Sequence, residues 1–446
     1  MGPLKGKTPG TQSLASVSTK RQRIAKLAQQ MKGRPLTALL HLIDWLKEAY
    51  RQTRKSGATG VDGVSGEEYA TRLEENLATL LDRAKSGNYR APPVRRVHIP
   101  KGDGVETRPI GIPTFEDKVL QRAVAMVLEA IYEQDFHDCS YGFRPGRSAH
   151  QALRAFDKQM MNMGGGWVIE VDIRKFFDTL DHGLIHKLLR RRMRDGVLLR
   201  LIGKWLKAGV MEEGIFTESE SGTPQGGVIS PLLANVVLHE VLDEWFEHEV
   251  KPRLKSRCFM VRYADDFVIG LSNEDNARRV MAVLPKRFEK HGLTLHPTKT
   301  RLIPFRPKRR EGDAEPGSFD LLGFTHHWAR SRRGYLVIKR KTAKSRFSRA
   351  LKRVAEWCRS VRHWAIGDQH RGLSKKLLGH YEYYGITGNS IALGRFLWEV
   401  GKAWSRALRR RSQRPIRWDR FNKLLELFPL PKARAVHSTL GRAANP

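Results

Sequence analysis

Cysteine is scarce in this 446-residue chain, acidic residues are outnumbered, and long hydrophobic runs are missing. The three cysteines, Cys139, Cys258 and Cys358, are widely scattered. That spacing excludes a disulfide framework or a zinc ribbon, suits a reducing cytoplasm, and predicts small buried hydrophobes. No segment approaches the ~20 consecutive apolar residues of a membrane-spanning helix. The first thirty residues, Met1 to Gln30, are basic and polar and lack the apolar core of a secretory leader. Acids number 46 against 81 Lys+Arg, a formal charge of +35. Such a field repels basic partners, lacks the apolar anchors a membrane would need, and attracts polyanions, nucleic acid first among them.

What is present is enough apolar residue, 40% of the chain, for a sizeable core. The basic excess is uneven: residues 331–446 hold 28 Lys+Arg and 6 Asp+Glu, a net of +22. This reads as a binding lobe attached to a more balanced catalytic lobe. The segment 1–33 reads as a flexible basic arm, and Pro35 to Tyr50 as an amphipathic helix. Ser65 with Glu68 forms a capping-box pattern ahead of Tyr69, Leu73, Leu77 and Leu80 on one helical face. Thr114 with Asp117 gives a second cap before a helix over Val119–Ile131. Alternation in Val94–Ile99, followed by Gly-Asp-Gly, predicts a hairpin within Pro92–Pro113. Ser230-Pro231 marks a helix start with Ser as N-cap, and 305–318 reads as an exposed loop. From about Lys341 onward the pattern is helical, with Trp357, Trp364, Trp398 and Trp404 set among Arg and Lys. No internal repeat is visible.

Three acids stand out against this basic background. Trp167–Ile173 is β-branched-rich, with Asp172 at its end. Cys258–Arg262 and Phe267–Leu271 flank Tyr263-Ala264-Asp265-Asp266, which predicts a tight hairpin with the acids at its tip. Adjacent acids in a turn are often merely solvated. Acids at the ends of apolar strands are costly when buried unpaired, so they are expected to face a cleft or a cation. Joining a 3′-hydroxyl to a nucleoside triphosphate calls for such a set. Two Mg²⁺ ions about 3.5–4 Å apart, held by convergent carboxylates, activate the hydroxyl and neutralise the leaving pyrophosphate.

The motif order then becomes specific. Gly57–Val64, Ile99-Pro100-Lys101 with Arg108–Pro113, Tyr141–Ser148, Asp172–Asp178, Gly222–Gly227, Tyr263–Asp266, Leu295–Thr300 and Phe319–Phe324 follow one another in sequence. In this order the chain resembles bacterial group II intron-encoded reverse transcriptase/maturases over nearly its whole length. The resemblance implies an α+β fold: a right-hand polymerase, fingers and palm with an antiparallel palm sheet, over 34–335. An α-helical basic thumb/maturase domain is implied over 336–440.

It also implies roles. Asp172 and Asp265 would hold both Mg²⁺ ions, with Asp266 accessory and the Ile173 carbonyl a further oxygen ligand. Lys101 and Arg108 would contact the triphosphate of the incoming deoxynucleotide. Phe177 would be the aromatic gate beneath the sugar, with Phe176 turned to the core. Gln225 and Gly226 would line the nucleotide loop, where glycine permits close backbone approach. Lys299 would support the hairpin acids or phosphate electrostatically or be a plain surface lysine, and Tyr263 would pack beside the primer or simply end its strand. Lys341, Lys344, Arg346, Arg349, Lys352 and Arg353 would grip template–primer phosphates without reading sequence. Leu377–Gly385 resembles the maturase segment, although most of its residues are expected to pack a core.

The implied partners are intron RNA or another RNA template and a DNA primer or target, with no membrane and a cytoplasmic location. Oligomeric state is not legible. The chain ends soon after the thumb, so a form lacking the HNH endonuclease domain is expected, and His326-His327 is too isolated for a metal site. Two other readings share these motifs: a splicing-only RNA-binding maturase, and a reverse transcriptase adapted to repair, phage defence or CRISPR spacer acquisition. Three intact acids argue against the first.

Overall fold

A computed structural model describes residues 9–37, 43–100, 107–218, 222–223, 226–308, 311–312, 315–411 and 416–437. Eleven strands are seen among them: β1 (Val94–Pro100), β2 (Thr107–Ile112), β3 (Gly166–Val171), β4 (Val210–Glu212), β5 (Ile215–Thr217), β6 (Cys258–Tyr263), β7 (Asp266–Leu271), β8 (Arg301–Phe305), β9 (Phe319–Leu321), β10 (Phe324–Arg330) and β11 (Leu336–Thr342). They fall into sheets of order β2-β1-β4-β5, β6-β7-β3-β8 and β11-β10-β9. Helices connect them, and four helices follow β11, so the fold is α+β with a helical C-terminal region.

The chain divides into two compact units. The first comprises residues 1–152, 171–269 and 275–301, and the second 153–170, 270–274 and 302–446. In the first, the helix Phe115–Tyr132 is buried along almost its full length. The expected caps form: Asp117 N–H donates to Thr114 Oγ1 at 3.2 Å, and Glu68 N–H to Ser65 Oγ at 3.1 Å. The Ser65 cap starts only a short helix, Gly66–Ala70. A second, Leu73–Ser86, carries buried Leu77 and Leu80. The hairpin lies where alternation places it, with β1 antiparallel to β2 and Ile99 opposite Arg108.

Several expectations need correction. Residues 9–30 are not a flexible arm: Pro9–Gln30 is helical. The half-turn after it is held by the buried Arg192 guanidinium, which donates to the Ala28, Met31 and Arg34 carbonyls and pairs with Asp135. Basic composition hides this anchor because its cation lies far away in sequence. Of the helix expected over Pro35 to Tyr50, Ile43–Gln52 is helical and residues 38–42 lie outside the described residues. Leu36 instead bridges Met193 as isolated β-structure. Ser230 is the first helical residue rather than the cap, which falls at Ile229 without a side-chain bond. Lys341 lies in β11, so the helical pattern starts at Lys344. Phe305 closes β8 as a fully buried residue, so the loop begins after it.

The second unit has its own apolar centre. Phe156, Phe319 and His326 pack together, Phe319 stacking on His326 with ring centroids 5.0 Å apart. Burial pushes the His326 imidazole well below its ordinary pKa, so it packs as a neutral ring. Further on, the helices Lys344–Ser360, Ile366–Tyr384 and Ser390–Arg409 enclose Val354, Leu377, Tyr381, Phe396 and Trp404.

One buried acid gives the first unit a pH signature. Asp117 accepts hydrogen bonds from Tyr89 Oη and from Trp205 Nε1 at 3.2 Å. Burial pushes its carboxyl up to about 7 from 3.8, against the pull of the Trp205 N–H and with some help from Asp62. The folded state therefore keeps a proton that the unfolded chain releases, and stability falls as pH rises between about 4 and 7. Urea unfolding at pH 5 and pH 8 should show this loss in the parent and not in Asp117→Asn. Equal pH dependence in both would contradict the assignment.

Candidate active site

Asp172 follows β3 directly and is fixed from both sides by backbone. His296 N–H donates to the Asp172 carbonyl at 2.7 Å, Arg174 N–H donates to Thr294 at 2.8 Å, and Ile173 bridges Leu295. The motif Leu295–Thr300 thus forms the rail on which the first acid is set. From the end of that rail, Lys299 Nζ reaches Asp172 Oδ2 at 3.0 Å. Lys299 is expected near the hairpin acids; the carboxylate it pairs with here is Asp172.

Asp265 sits in the turn between β6 and β7, and Asp266 opens β7, exposed. The turn is strained at Ala264, whose φ of 58° lies in the left-handed region. For an L-residue this costs about 1–2 kcal/mol and needs outside support. Arg262 supplies it. The fully buried Arg262 guanidinium donates to the Ala264 carbonyl at 3.1 Å and to Asn235 Oδ1 at 2.9 Å, and chelates the fully buried Asp243. Burial pushes the Asp243 carboxyl up, but the Arg262 charge and hydrogen bonds from His239 and Arg262 outweigh it and hold it below the ordinary range.

The Tyr141–Ser148 motif braces the same turn. Tyr141 N–H donates to the Arg262 carbonyl, Arg262 N–H to the Cys139 carbonyl, and Asn235 Nδ2 to the Gly142 carbonyl at 2.7 Å. A Cβ added at Gly142 would stand 2.3 Å from the Ala264 nitrogen, so the two chains pass backbone to backbone. Arg144 is buried against Glu133 and donates to the His137 and Ser140 carbonyls.

The acids converge electrostatically. Burial raises the Asp265 pKa and the Asp172 charge adds to it, while a backbone N–H, Arg108 and Arg262 pull the other way. Two neighbouring carboxylates, one of them resisting ionisation, form a donor set that a divalent cation would relieve. Arg108 on β2 lies within electrostatic reach of Asp265.

Phe177 and the nucleotide loop lie together. Phe176 is buried, as expected for a core residue, and Phe177 is half-exposed on the short helix Phe176–Thr179. Thr223 N–H donates to the Phe177 carbonyl at 2.8 Å. Gly226 has a φ of 114°, and a Cβ there would meet the Gly111 carbonyl at 2.6 Å, so the loop runs against β2. Lys101 and Gln225 lie outside the described residues.

In the other unit, Lys341, Lys344, Arg346, Lys352 and Arg353 are exposed and Arg349 half-buried. On the helix Lys344–Ser360, Arg349 and Lys352 lie opposite buried Val354 and Cys358, with Arg346 and Arg353 on the flank, while Lys341 is in β11. The Leu377–Gly385 segment packs as expected: Tyr381 is buried, and His380 stacks on Phe396 at 3.8 Å.

Arg262, Asp243, Asn235 and Gly142 are the supporting residues that the sequence reading missed. The available signal was an arginine inside an otherwise apolar strand, Cys-Phe-Met-Val-Arg-Tyr, where a charge demands a buried partner.

The profile of the reverse transcriptase (RNA-dependent DNA polymerase) family matches residues 99–326. The chain therefore belongs to the reverse transcriptase family, RNA-directed DNA polymerases that use divalent metal ions and deoxynucleoside triphosphates and bind RNA and DNA. Among curated proteins it is 39% identical over 287 residues to protein YkfC of Escherichia coli, covering 57% of this chain and 75% of that protein. It is 38% identical over 223 residues to the group II intron-encoded protein LtrA of Lactococcus lactis, covering 49% of this chain and 37% of LtrA. Over 177 residues it is 30% identical to nuclear intron maturase 2 of Arabidopsis thaliana, 31% of this chain and 24% of that protein. The relatives it matches thus include a group II intron-encoded protein and an intron maturase, and the chain spans little more than a third of LtrA.

The close approach at Gly142 yields a test. Gly142→Ala has no flexible neighbour to displace, so it should move the catalytic turn and slow RNA-templated primer extension at least tenfold with the circular dichroism spectrum retained. An unchanged rate would show that Gly142 does not set the turn.

Proposed function

We propose that this chain copies RNA into DNA at a centre built from Asp172 and Asp265, and that it also binds an intron RNA to promote splicing and retrotransposition. The observation that carries the catalytic part is that Asp172, set by the backbone of Thr294 to His296, lies close enough to Asp265 in the braced β6–β7 turn for its charge to act on that carboxyl. In this reading two Mg²⁺ ions are held by Asp172 and Asp265, with Asp266 accessory and the Ile173 carbonyl a further ligand. When bound, they supply activation of the primer 3′-hydroxyl and neutralise charge on the leaving pyrophosphate.

The chain's own residues do the rest. Arg108, with Lys101, receives the triphosphate through charge-assisted hydrogen bonds. Gln225 and Gly226 form the floor of the nucleotide site, and the Phe177 ring stands where a 2′-hydroxyl would clash. Lys299 holds Asp172 through its 3.0 Å contact until phosphate competes for it. The basic face Lys341, Lys344, Arg346, Arg349, Lys352 and Arg353 grips the duplex through phosphates.

The maturase part rests on the basic C-terminal region and on the names of the intron-encoded relatives. Among the described residues no helix is long and apolar enough to cross a membrane. The scattered free cysteines support a cytoplasmic setting.

Asp265→Asn with Asp266→Asn should abolish Mg²⁺-dependent extension of a DNA primer on RNA while RNA affinity stays within about twofold. Extension at the parental rate would overturn the metal assignment. Phe177→Ala should admit ribonucleotides at least tenfold more readily, measured as the ratio of kcat/KM for the two sugars. Unchanged discrimination would remove Phe177 from the gate.

A further inference from the structure

Behind the catalytic turn, three imidazoles crowd one carboxylate. The helix that begins at Ser230 is α-helical to Leu238, then π-helical over His239–Asp243 and again over Phe246–Val250. Such wide turns are rare and cluster at functional sites. Their effect here is geometric. The Glu244 N–H bonds to the His239 carbonyl, five residues back, so the first wide turn stacks Glu244 over His239. One ordinary turn further, His248 falls on the same side.

His137 completes the group from the loop that carries the Tyr141 motif. Its Nε2 lies 2.8 Å from Glu244 Oε1, His248 Nε2 lies 3.6 Å from Glu244 Oε2, and His239 Nε2 lies 3.4 Å from Glu244 Oε1. One ligand atom each from His137, Glu244 and His248 lies within 4.8 Å of the others.

Three ring nitrogens are directed at one carboxylate. Ring stacking does not hold the outer pair, since the His137 and His248 ring centroids stand 5.7 Å apart and the rings are inclined at 59°. A four-coordinate ion with bonds of about 2.0–2.2 Å keeps its ligand atoms roughly 3.3–3.5 Å apart, a spacing the three donors, all within 4.8 Å of one another, can reach by small side-chain rotations. His137 is itself held, its carbonyl accepting from buried Arg144 at 2.7 Å.

We infer that His137, Glu244 and His248 form a site for a borderline-soft divalent ion of the Zn²⁺ class, with His239 steadying the Glu244 carboxylate and a fourth position open to water. Two imidazoles and one carboxylate select such an ion over Mg²⁺, which prefers oxygen alone. The site is therefore chemically distinct from the all-carboxylate catalytic centre. Asp243, the residue before Glu244, grips Arg262, so the ion would pin the same helical turn that steadies the catalytic hairpin.

Cobalt(II) titration of untagged protein in excess Mg²⁺ tests this, because Mg²⁺ fills the carboxylate centre and tetrahedral cobalt absorbs visibly. One equivalent of Co²⁺ should give a visible band that Zn²⁺ bleaches. His248→Gln and Glu244→Gln should weaken that binding at least tenfold. His248 is two-thirds exposed in its side chain, so its replacement leaves the core intact. Absence of the band, or a band unaltered in both variants, would overturn the proposal.

Discussion

The catalytic hairpin depends on a charge buried beneath it. Arg262 is inaccessible to solvent, and five N–H donors in one plane let it do three things together. It neutralises Asp243, orders Asn235, and holds the carbonyl of the strained Ala264. Breaking a buried pair by removing one partner typically costs about 3–5 kcal/mol, because the other charge is left without compensation. That is enough to fix a turn whose own backbone conformation is unfavourable. The guanidinium through Asn235, and the Arg262 backbone through Cys139 and Tyr141, tie the hairpin to a motif more than a hundred residues earlier.

A second constraint is electrostatic. A chain of +35 draws in nucleic acid, yet polymerisation requires carboxylates at the point where the phosphates arrive. The structure places Asp172 and Asp265 together and lets basic groups offset them: Lys299 on Asp172, and Arg108 with Arg262 near Asp265. The Asp265 pKa still rises, through burial first and Asp172 second. The basic groups therefore do not outweigh burial and the neighbouring charge together, and a bound divalent cation would favour the ionised carboxylate.

Much of this was legible in the sequence where signals are local. The caps at Ser65 and Thr114, the β1–β2 hairpin and the β6–β7 turn follow from turn chemistry and from period-two patterning, which act within a few residues. The three acids stood out because a carboxylate beside an apolar strand is conspicuous in a basic chain. What escaped depends on partners distant in sequence. The helix Pro9–Gln30 reads as a basic arm until Arg192 is seen capturing the carbonyls that follow it. Arg262 reads as one more cation in a cation-rich chain, and Lys341 as the first helical residue rather than part of a strand. The wide helical turns at His239–Asp243 have no composition signal, since they exist only in the hydrogen-bond pattern.

The account stands or falls on whether Asp172 and Asp265 share cations during catalysis. Diffraction from crystals of the protein with an RNA template, a DNA primer, a nonhydrolysable deoxynucleotide and Mn²⁺ reads this directly through the anomalous signal of the metal. Two peaks about 3.5–4 Å apart, both within bonding distance of the Asp172 and Asp265 carboxylates, are the predicted result. Ordered nucleotide at the site with no anomalous peak between those two acids would contradict it.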